Sequence, residues 1–358
     1  MMKTKLLLPA IMCCLLFCQC KKNNNLPDPE PVKETWQALP DDIIDFDARN
    51  IITGCADSNS LMFFTPNANY VLDTAIRLVD YYLYNSPGYY SNKLQYKAGP
   101  GFRIYNLHEG AVIVIAANKK AASTSISSLT AMEASGGAGS ISCFTAPDGQ
   151  DDFYAAITTG DASTGDKAFT VCKYHMMQDG PGVSKKLVWN KTLAANITAP
   201  EESILSINAV DDVVFVTTLS RSYRLQDGQV TDSTVISLRD LVSCGNLYYA
   251  TCNWRATAQQ EYPEGLVYSA DKGHTWQYIG TGTSFALGQL LSRNDKLFLN
   301  TGSRLSYIDI DRKAVTPLLS YTDVHGPIKT FHIFRGKAYI GTDAGVYYKS
   351  LAGFLQPQ

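Results

Sequence analysis

Four short runs recur along the second half of the chain: "VFVTT" (214–218), "LYYAT" (247–251), "LFLNT" (297–301) and "AYIGT" (338–342). Each is β-branched, aliphatic or aromatic, and each ends in threonine. A turn pair precedes every copy: Asp211-Asp212, Gly245-Asn246, Asn294-Asp295 and Arg335-Gly336. A second strand-like run follows several of them, as in "GLVYSA" (265–270), "RLSYID" (304–309) and "GVYYKS" (345–350). Such runs with turn chemistry between them specify β-hairpins. Three weaker copies come earlier: "LMFFT" (61–65), "VIVIAA" (112–117) and "YAAITT" (154–159).

The mean spacing of the copies is about 46 residues, the length of a four-stranded propeller blade. A β-helix repeats at a much shorter period, and a pair of β-sandwiches would not repeat one hairpin along the whole chain. The segment "RLVDYYLYN" (77–85) reads as strand rather than helix, because its tyrosines and valine suit a pleated surface. The pattern predicts an all-β chain folded as a β-propeller over residues 40–358. Seven four-stranded blades fit the spacing best; six or eight also fit. One blade cannot bury both its faces, whereas a closed ring does so and protects the edges. The low-complexity run "NKKAASTSISSLTAMEASGGAGS" (118–140) is expected to be a flexible connection with at most a weak strand in "SISSLTAM".

The first residues read as a targeting segment. Lys3 and Lys5 precede the apolar run "LLLPAIMCCLLF" (6–17). That run is too short to span a bilayer as a helix and suits the core of a secretory signal. The cysteines that follow, in "CCLLFCQCKKNNN", resemble a lipoprotein signal of the Bacteroidota type, in which a lipid-modified cysteine opens the mature chain. The resemblance implies a signal peptide over residues 1–19 and lipid attachment at Cys20, with Cys18 as the alternative. Gln19 departs from the small residue that normally precedes the cysteine. Residues 20–39, including "KKNNNLPDPEPVKE", are polar and proline-spaced and read as an extended tether. The expected location is the cell envelope, with the chain lipid-anchored to the outer membrane, in the periplasm or at the surface.

Composition excludes some function classes. Hydrophobic residues make up 45% of the chain, enough for a core. The formal net charge is −2, which argues against a nucleic-acid binder. Cys55, Cys143, Cys172, Cys244 and Cys252 are widely spaced and predict buried thiols rather than a disulfide framework. Cys244 and Cys252 flank a turn at Gly245-Asn246 that would not bring them opposite each other.

The octapeptide "SADKGHTW" (269–276) is the most specific motif. Ser269, Asp271, Gly273, Thr275 and Trp276 match the pattern Ser-x-Asp-x-Gly-x-Thr-Trp. It resembles the Asp-box, or BNR repeat, of sialidase-like β-propellers, where it forms a turn at the blade periphery. The residue types suit a turn: a carboxylate to accept N–H groups, a glycine for positive φ, a hydroxyl for local bonding and an indole to pack. The resemblance implies a structural role for these residues, with His274 a solvated addition at a variable position.

"GFRIYNL" sets Arg103-Ile104 where a sialidase would carry Arg-Ile-Pro, but Tyr105 replaces the proline. Arg221, Arg224 and Arg255 are the candidate partners for a carboxylate clamp. "GDASTGDK" (160–167) imitates a phosphate loop, with Asp166 where lysine is required. "PDGQDD" (147–152) and "DIDRK" (309–313) read as turns. The five histidines show no ligand spacing. No metal or cofactor is expected. "YYLYNSPGYYSNKLQY" (81–96) concentrates tyrosines around a turn, and Tyr89 and Tyr90 are candidate ligand contacts together with Arg103. These features favour a monomeric, non-enzymatic binding or scaffolding lipoprotein for a glycan or an envelope protein. An exo-acting sialidase-like hydrolase and an assembly factor for an envelope complex are the alternatives.

Overall fold

In the computed structural model, the described residues are 34–40, 43, 50–51, 53–56, 60–65, 68–83, 96–98, 102–108, 111–116, 127–128, 139–145, 152–160, 167–179, 186–198, 204–286, 288–320 and 323–355. They form seven four-stranded antiparallel sheets and one small two-stranded one. The first sheet is Thr53–Ala56, Leu61–Phe64, Ala68–Leu72 and Leu78–Leu83; the second is Tyr96–Ala98, Phe102–His108, Ala111–Ala116 and Ser127–Ser128. The third is Gly139–Thr145, Asp152–Gly160, Lys167–Asp179 and Lys186–Thr198. The fourth is Ile204–Val210, Val213–Thr218, Ser222–Gln226 and Gln229–Thr234. The fifth is Ser237–Cys244, Leu247–Asn253, Gly265–Ser269 and Gln277–Thr281, and the sixth is Gln289–Arg293, Lys296–Asn300, Arg304–Asp309 and Ala314–Ser320. The seventh joins Thr330–Phe334, Lys337–Thr342 and Gly345–Ser350 to Gln37–Ala38 from the other end of the chain.

That last sheet corrects one boundary. Gln37 pairs with Tyr348 and Ala38 with Tyr347, and the Leu39 N–H donates to the Val346 carbonyl at 2.8 Å. Trp36 packs edge-on against Phe354 at 5.9 Å. Residues 36–39 therefore belong to the folded body rather than to a tether ending at 39. Their pairing fills the open edge of the seventh sheet, which would otherwise expose unpaired backbone groups.

The core is a series of seams between successive sheets. Phe169 and Val171 meet Ile207 and Val216 between the third and fourth sheets. Phe215 meets Leu238 and Val267 between the fourth and fifth, and Tyr249 and Leu266 meet Leu297 and Ile308 between the fifth and sixth. Phe298 and Leu305 meet Phe331 and Ile340 in the next seam, and Tyr339 and Phe334 meet Leu61 and Phe63 where the seventh sheet meets the first. The middle strand Val213–Thr218 is accordingly buried at every position, on both of its faces.

The first strands of successive sheets are also tied by polar side chains. Thr145 Oγ1 accepts from the Ala209 N–H at 3.2 Å. Ser206 Oγ and Asn208 Nδ2 donate to the carbonyls of Leu238 and Arg239 at 3.1 and 2.7 Å. Asp240 Oδ2 accepts from the Leu290 N–H at 2.5 Å. His332 faces Gly54 where the ring closes, with Thr330 Oγ1 2.6 Å from its Nε2. Desolvation pushes the His332 imidazole down to about 4, against a bond to Gly54 that works the other way.

The recurring threonines have a structural cause. Thr65, Thr218, Thr301 and Thr342 each open the turn between the second and third strands of a sheet. Thr218 Oγ1 donates to the Arg221 carbonyl at 3.1 Å and accepts from the N–H groups of Ser220 and Arg221. Thr65, Thr301 and Thr342 hydroxyls bond in the same way to the carbonyls of Ala68, Arg304 and Gly345. A hydroxyl that satisfies both partners of a tight turn is favoured there. "VIVIAA" breaks the expected order: it forms the third strand of the second sheet, and Phe102–His108 is the second. An apolar run marks a middle strand without saying which one.

Candidate binding face

Antiparallel order gives each sheet two ends. Turns between first and second strands and between third and fourth lie at one end, here called lower. Second-to-third turns and the links to the next sheet lie at the upper end. The two ends carry different chemistry.

The octapeptide forms a lower turn in the outer half of the fifth sheet, between Gly265–Ser269 and Gln277–Thr281. Ser269 Oγ accepts from the Gly273 N–H at 2.7 Å and donates to Asp271 Oδ1 at 2.7 Å. Asp271 Oδ1 also accepts from the Thr275 N–H at 2.9 Å, and Oδ2 accepts from Thr275 Oγ1 at 2.6 Å. Partial burial works to raise the Asp271 pKa, but the bonds from Thr275 and Ser269 outweigh it and take the carboxyl to about 2. Gly273 has φ of 88°, and a Cβ there would lie 2.2 Å from Phe215 Cζ. Phe215 belongs to the fourth sheet, and Trp276 packs edge-on against it at 5.9 Å.

The turn thus docks on its neighbour. Buried Arg224 of the fourth sheet donates from Nε to the Lys272 carbonyl at 2.9 Å, and its other nitrogens bond Thr231 and Gln226. His274 is exposed, as expected, and also places Nδ1 3.0 Å from Asp232 Oδ2 across the same seam. Ser269, Asp271 and Thr275 close the turn on itself, while Gly273, Trp276, His274 and the Lys272 carbonyl dock it on the fourth sheet.

The candidate arginines do not form one cluster. Arg224 serves the lower seam, while Arg221 and Arg255 lie at the upper end. Arg221 Nη1 donates to Ser233 Oγ at 3.2 Å, and Arg255 Nη1 donates to the Val235 carbonyl at 2.9 Å. Arg103 lies in the strand Phe102–His108 opposite Ala98 and Ile115; its side chain is outside the described residues. Tyr89, Tyr90 and Cys20 are outside them altogether. Among the described residues no group of three His, Cys, Asp or Glu side chains is arranged to hold a metal. Cys172, Cys244 and Cys252 are buried, and burial pushes Cys252 up to about 11.

Sequence reasoning missed the most distinctive upper feature. In the fifth sheet Thr251 is buried and does not open a turn; its Oγ1 accepts from the Asp240 N–H and donates to the Gly288 carbonyl. The turn is displaced outward to Thr257, whose Oγ1 donates to the Gln260 carbonyl at 3.0 Å and accepts from Gln259 and Gln260. Between them Arg255–Ala256 pairs with Glu261–Tyr262 as a small extra hairpin. Trp254 stands on it at 56% exposure, whereas Trp36 and Trp276 are packed against core clusters. The signal was in the spacing: the run after "LYYAT" reaches its partner strand far later than the runs after "VFVTT" and "AYIGT" do.

The hairpin is braced. Arg255 holds Val235, Arg239 Nη1 reaches Asn253 Oδ1 at 3.4 Å, and the Tyr278 hydroxyl donates to the Pro263 carbonyl at 3.1 Å. It is a fixed projection.

No protein-family profile matches the chain, and no curated protein matches its sequence. Solved structures do match in shape. The chain is similar to the WD40 domain of Pan2 from Neurospora crassa, with a TM-score of 0.53 and 9% identity over 88% of this chain and 95% of that one. It is also similar to the extracellular domain of a protein described as a hybrid two-component system from B. thetaiotaomicron, with a TM-score of 0.52 and 11% identity. That match covers 88% of this chain and 39% of the other. At these identities the likeness speaks of fold alone, and it agrees with the sheet order: the chain is a β-propeller.

Proposed function

We propose that this protein is an envelope lipoprotein, anchored through Cys20, whose propeller is a non-enzymatic binding module for a glycan or a protein. The observation that carries the reading is the braced upper hairpin with its exposed Trp254. The fold does not require it, because the fourth and seventh sheets close the same connection with a tight threonine turn. An added, rigid element that keeps an indole in water is costly unless something covers it.

Two further parts of the reading come from sequence. The octapeptide resembles the Asp-box of sialidase-like propellers, and the cysteine-rich leader resembles a lipoprotein signal. A sialidase-like hydrolase is the weaker reading, since Arg224 is occupied at the lower seam and Arg221 and Arg255 are held at the upper rim. An assembly role in an envelope complex is a special case of protein binding.

The test uses the full chain expressed in a bacterial envelope. Labelling with an alkyne fatty acid is expected to mark the protein and to fail in Cys20→Ala. The purified protein is expected to retain a ligand, from a glycan array or from detergent-solubilised envelope, without cleaving sialosides or other glycosides. Turnover of any glycoside, or a label that survives at Cys18, would require revision.

A further inference from the structure

The upper hairpin has an alternating pattern that says which chemistry it presents. Trp254, Ala256 and Ala258 are exposed, and Arg255 and Thr257 between them are half-buried. The register sets Ala256 opposite Glu261, and continuing it sets Trp254 opposite Pro263. One face of the hairpin therefore carries an indole, a methyl group, a proline ring and a carboxylate. Arg255 turns to Val235 on the other side, and Glu264 is half-buried at the base.

We infer that this face is a carbohydrate platform, on which a neutral sugar ring stacks against Trp254 while Glu261 accepts hydrogen bonds from its hydroxyls. The inference deepens the binding-module reading and rests on it. A pyranose has one face made of C–H groups, which leaves water for a flat aromatic surface, and a rim of hydroxyls that need acceptors. Small Ala256 leaves the indole uncovered, and the carboxylate on the next strand supplies acceptor lone pairs beside it. With a carboxylate and no cation on the exposed face, an anionic sugar is disfavoured. A lone open ring suits a flat ligand better than a cation, which aromatic cages enclose. Bracing by Arg255, Arg239 and Tyr278 fixes the platform before a ligand arrives.

The experiment is a glycan array of neutral glucans, mannans, galactans and N-acetylhexosamine oligomers, followed by titration with tryptophan emission as readout. At least one neutral glycan is expected to bind, to shift the emission and to shield it from acrylamide. Trp254→Ala is expected to weaken binding about tenfold or more and Glu261→Gln several-fold, roughly the loss of one anchor and one hydrogen bond. Both residues are exposed, so unchanged melting curves will show that the variants fold. Binding that is indifferent to both substitutions overturns the platform. So does preference for an arginine-rich peptide added as a control, or a silent array. If the array is silent but a diazirine amino acid at position 256 cross-links a protein in intact envelopes, the binding module stands and the carbohydrate assignment falls. If neither reports a ligand, both fall.

Discussion

Gly273 shows how much one position in the octapeptide decides. Its φ of 88° disfavours any side chain, and its missing Cβ is the space that Phe215 fills. Gly245 is the internal control, with φ of 59° and nothing within 4 Å. Gly245→Ala should cost about 1 kcal/mol from backbone strain alone. Gly273→Ala should cost roughly 2 kcal/mol more, because Phe215 must move out of a packed seam. Urea unfolding of the two variants will read the difference.

His332 gives a pH signature at the same scale. Its folded pKa of about 4 lies below the ordinary 6.5. Below 6.5 the unfolded chain takes a proton that the folded chain refuses, so stability falls as pH drops from 6.5 towards 4. Asp271 acts lower down: with a folded value of about 2, its contribution is present above 3.8 and is lost as pH falls towards 2. Melting temperatures between pH 7 and 4 should decline less in His332→Gln than in the parent protein.

Among elements, the threonine turns and the displaced hairpin are two versions of one connection. The repeated threonine was legible as a strand ending, yet its cause was not. Only the structure shows the hydroxyl closing a turn at Thr218 and leaving that task at Thr251 to Thr257. Strand identity was legible wherever a run was apolar on both faces, and order within a sheet was not, as "VIVIAA" shows. The octapeptide's turn could be read from residue types, but its docking on Phe215 and Arg224 pairs residues far apart in sequence. The tyrosines around Tyr89 and Tyr90 are conspicuous in the sequence because they are clustered, whereas Trp254 is marked only by an irregular spacing. Replacing residues 253–264 by a four-residue threonine turn should leave unfolding cooperative and remove ligand retention; circular dichroism melts and array binding check the two halves.

At the largest scale, the seventh sheet is completed from the other end of the described residues. Residues 36–39 complete the seventh sheet, and Leu39 is buried in the seam that joins it to the first. Leu39→Ala should cost about 2–5 kcal/mol, as other buried leucine truncations do. A chain beginning at residue 34 should melt with the full-length protein, and one beginning at residue 41 should melt well below it.

On this account the two ends of the sheets have separate tasks: the lower octapeptide holds sheets together, and the upper hairpin meets the ligand. Trp254→Ala and Asp271→Ala test that division directly when melting temperature and array binding are measured side by side. The account predicts that Trp254→Ala keeps the parent melting temperature and loses binding, while Asp271→Ala melts lower and, below its transition, still binds. The reverse pattern, with binding lost at Asp271 and kept at Trp254, would contradict it.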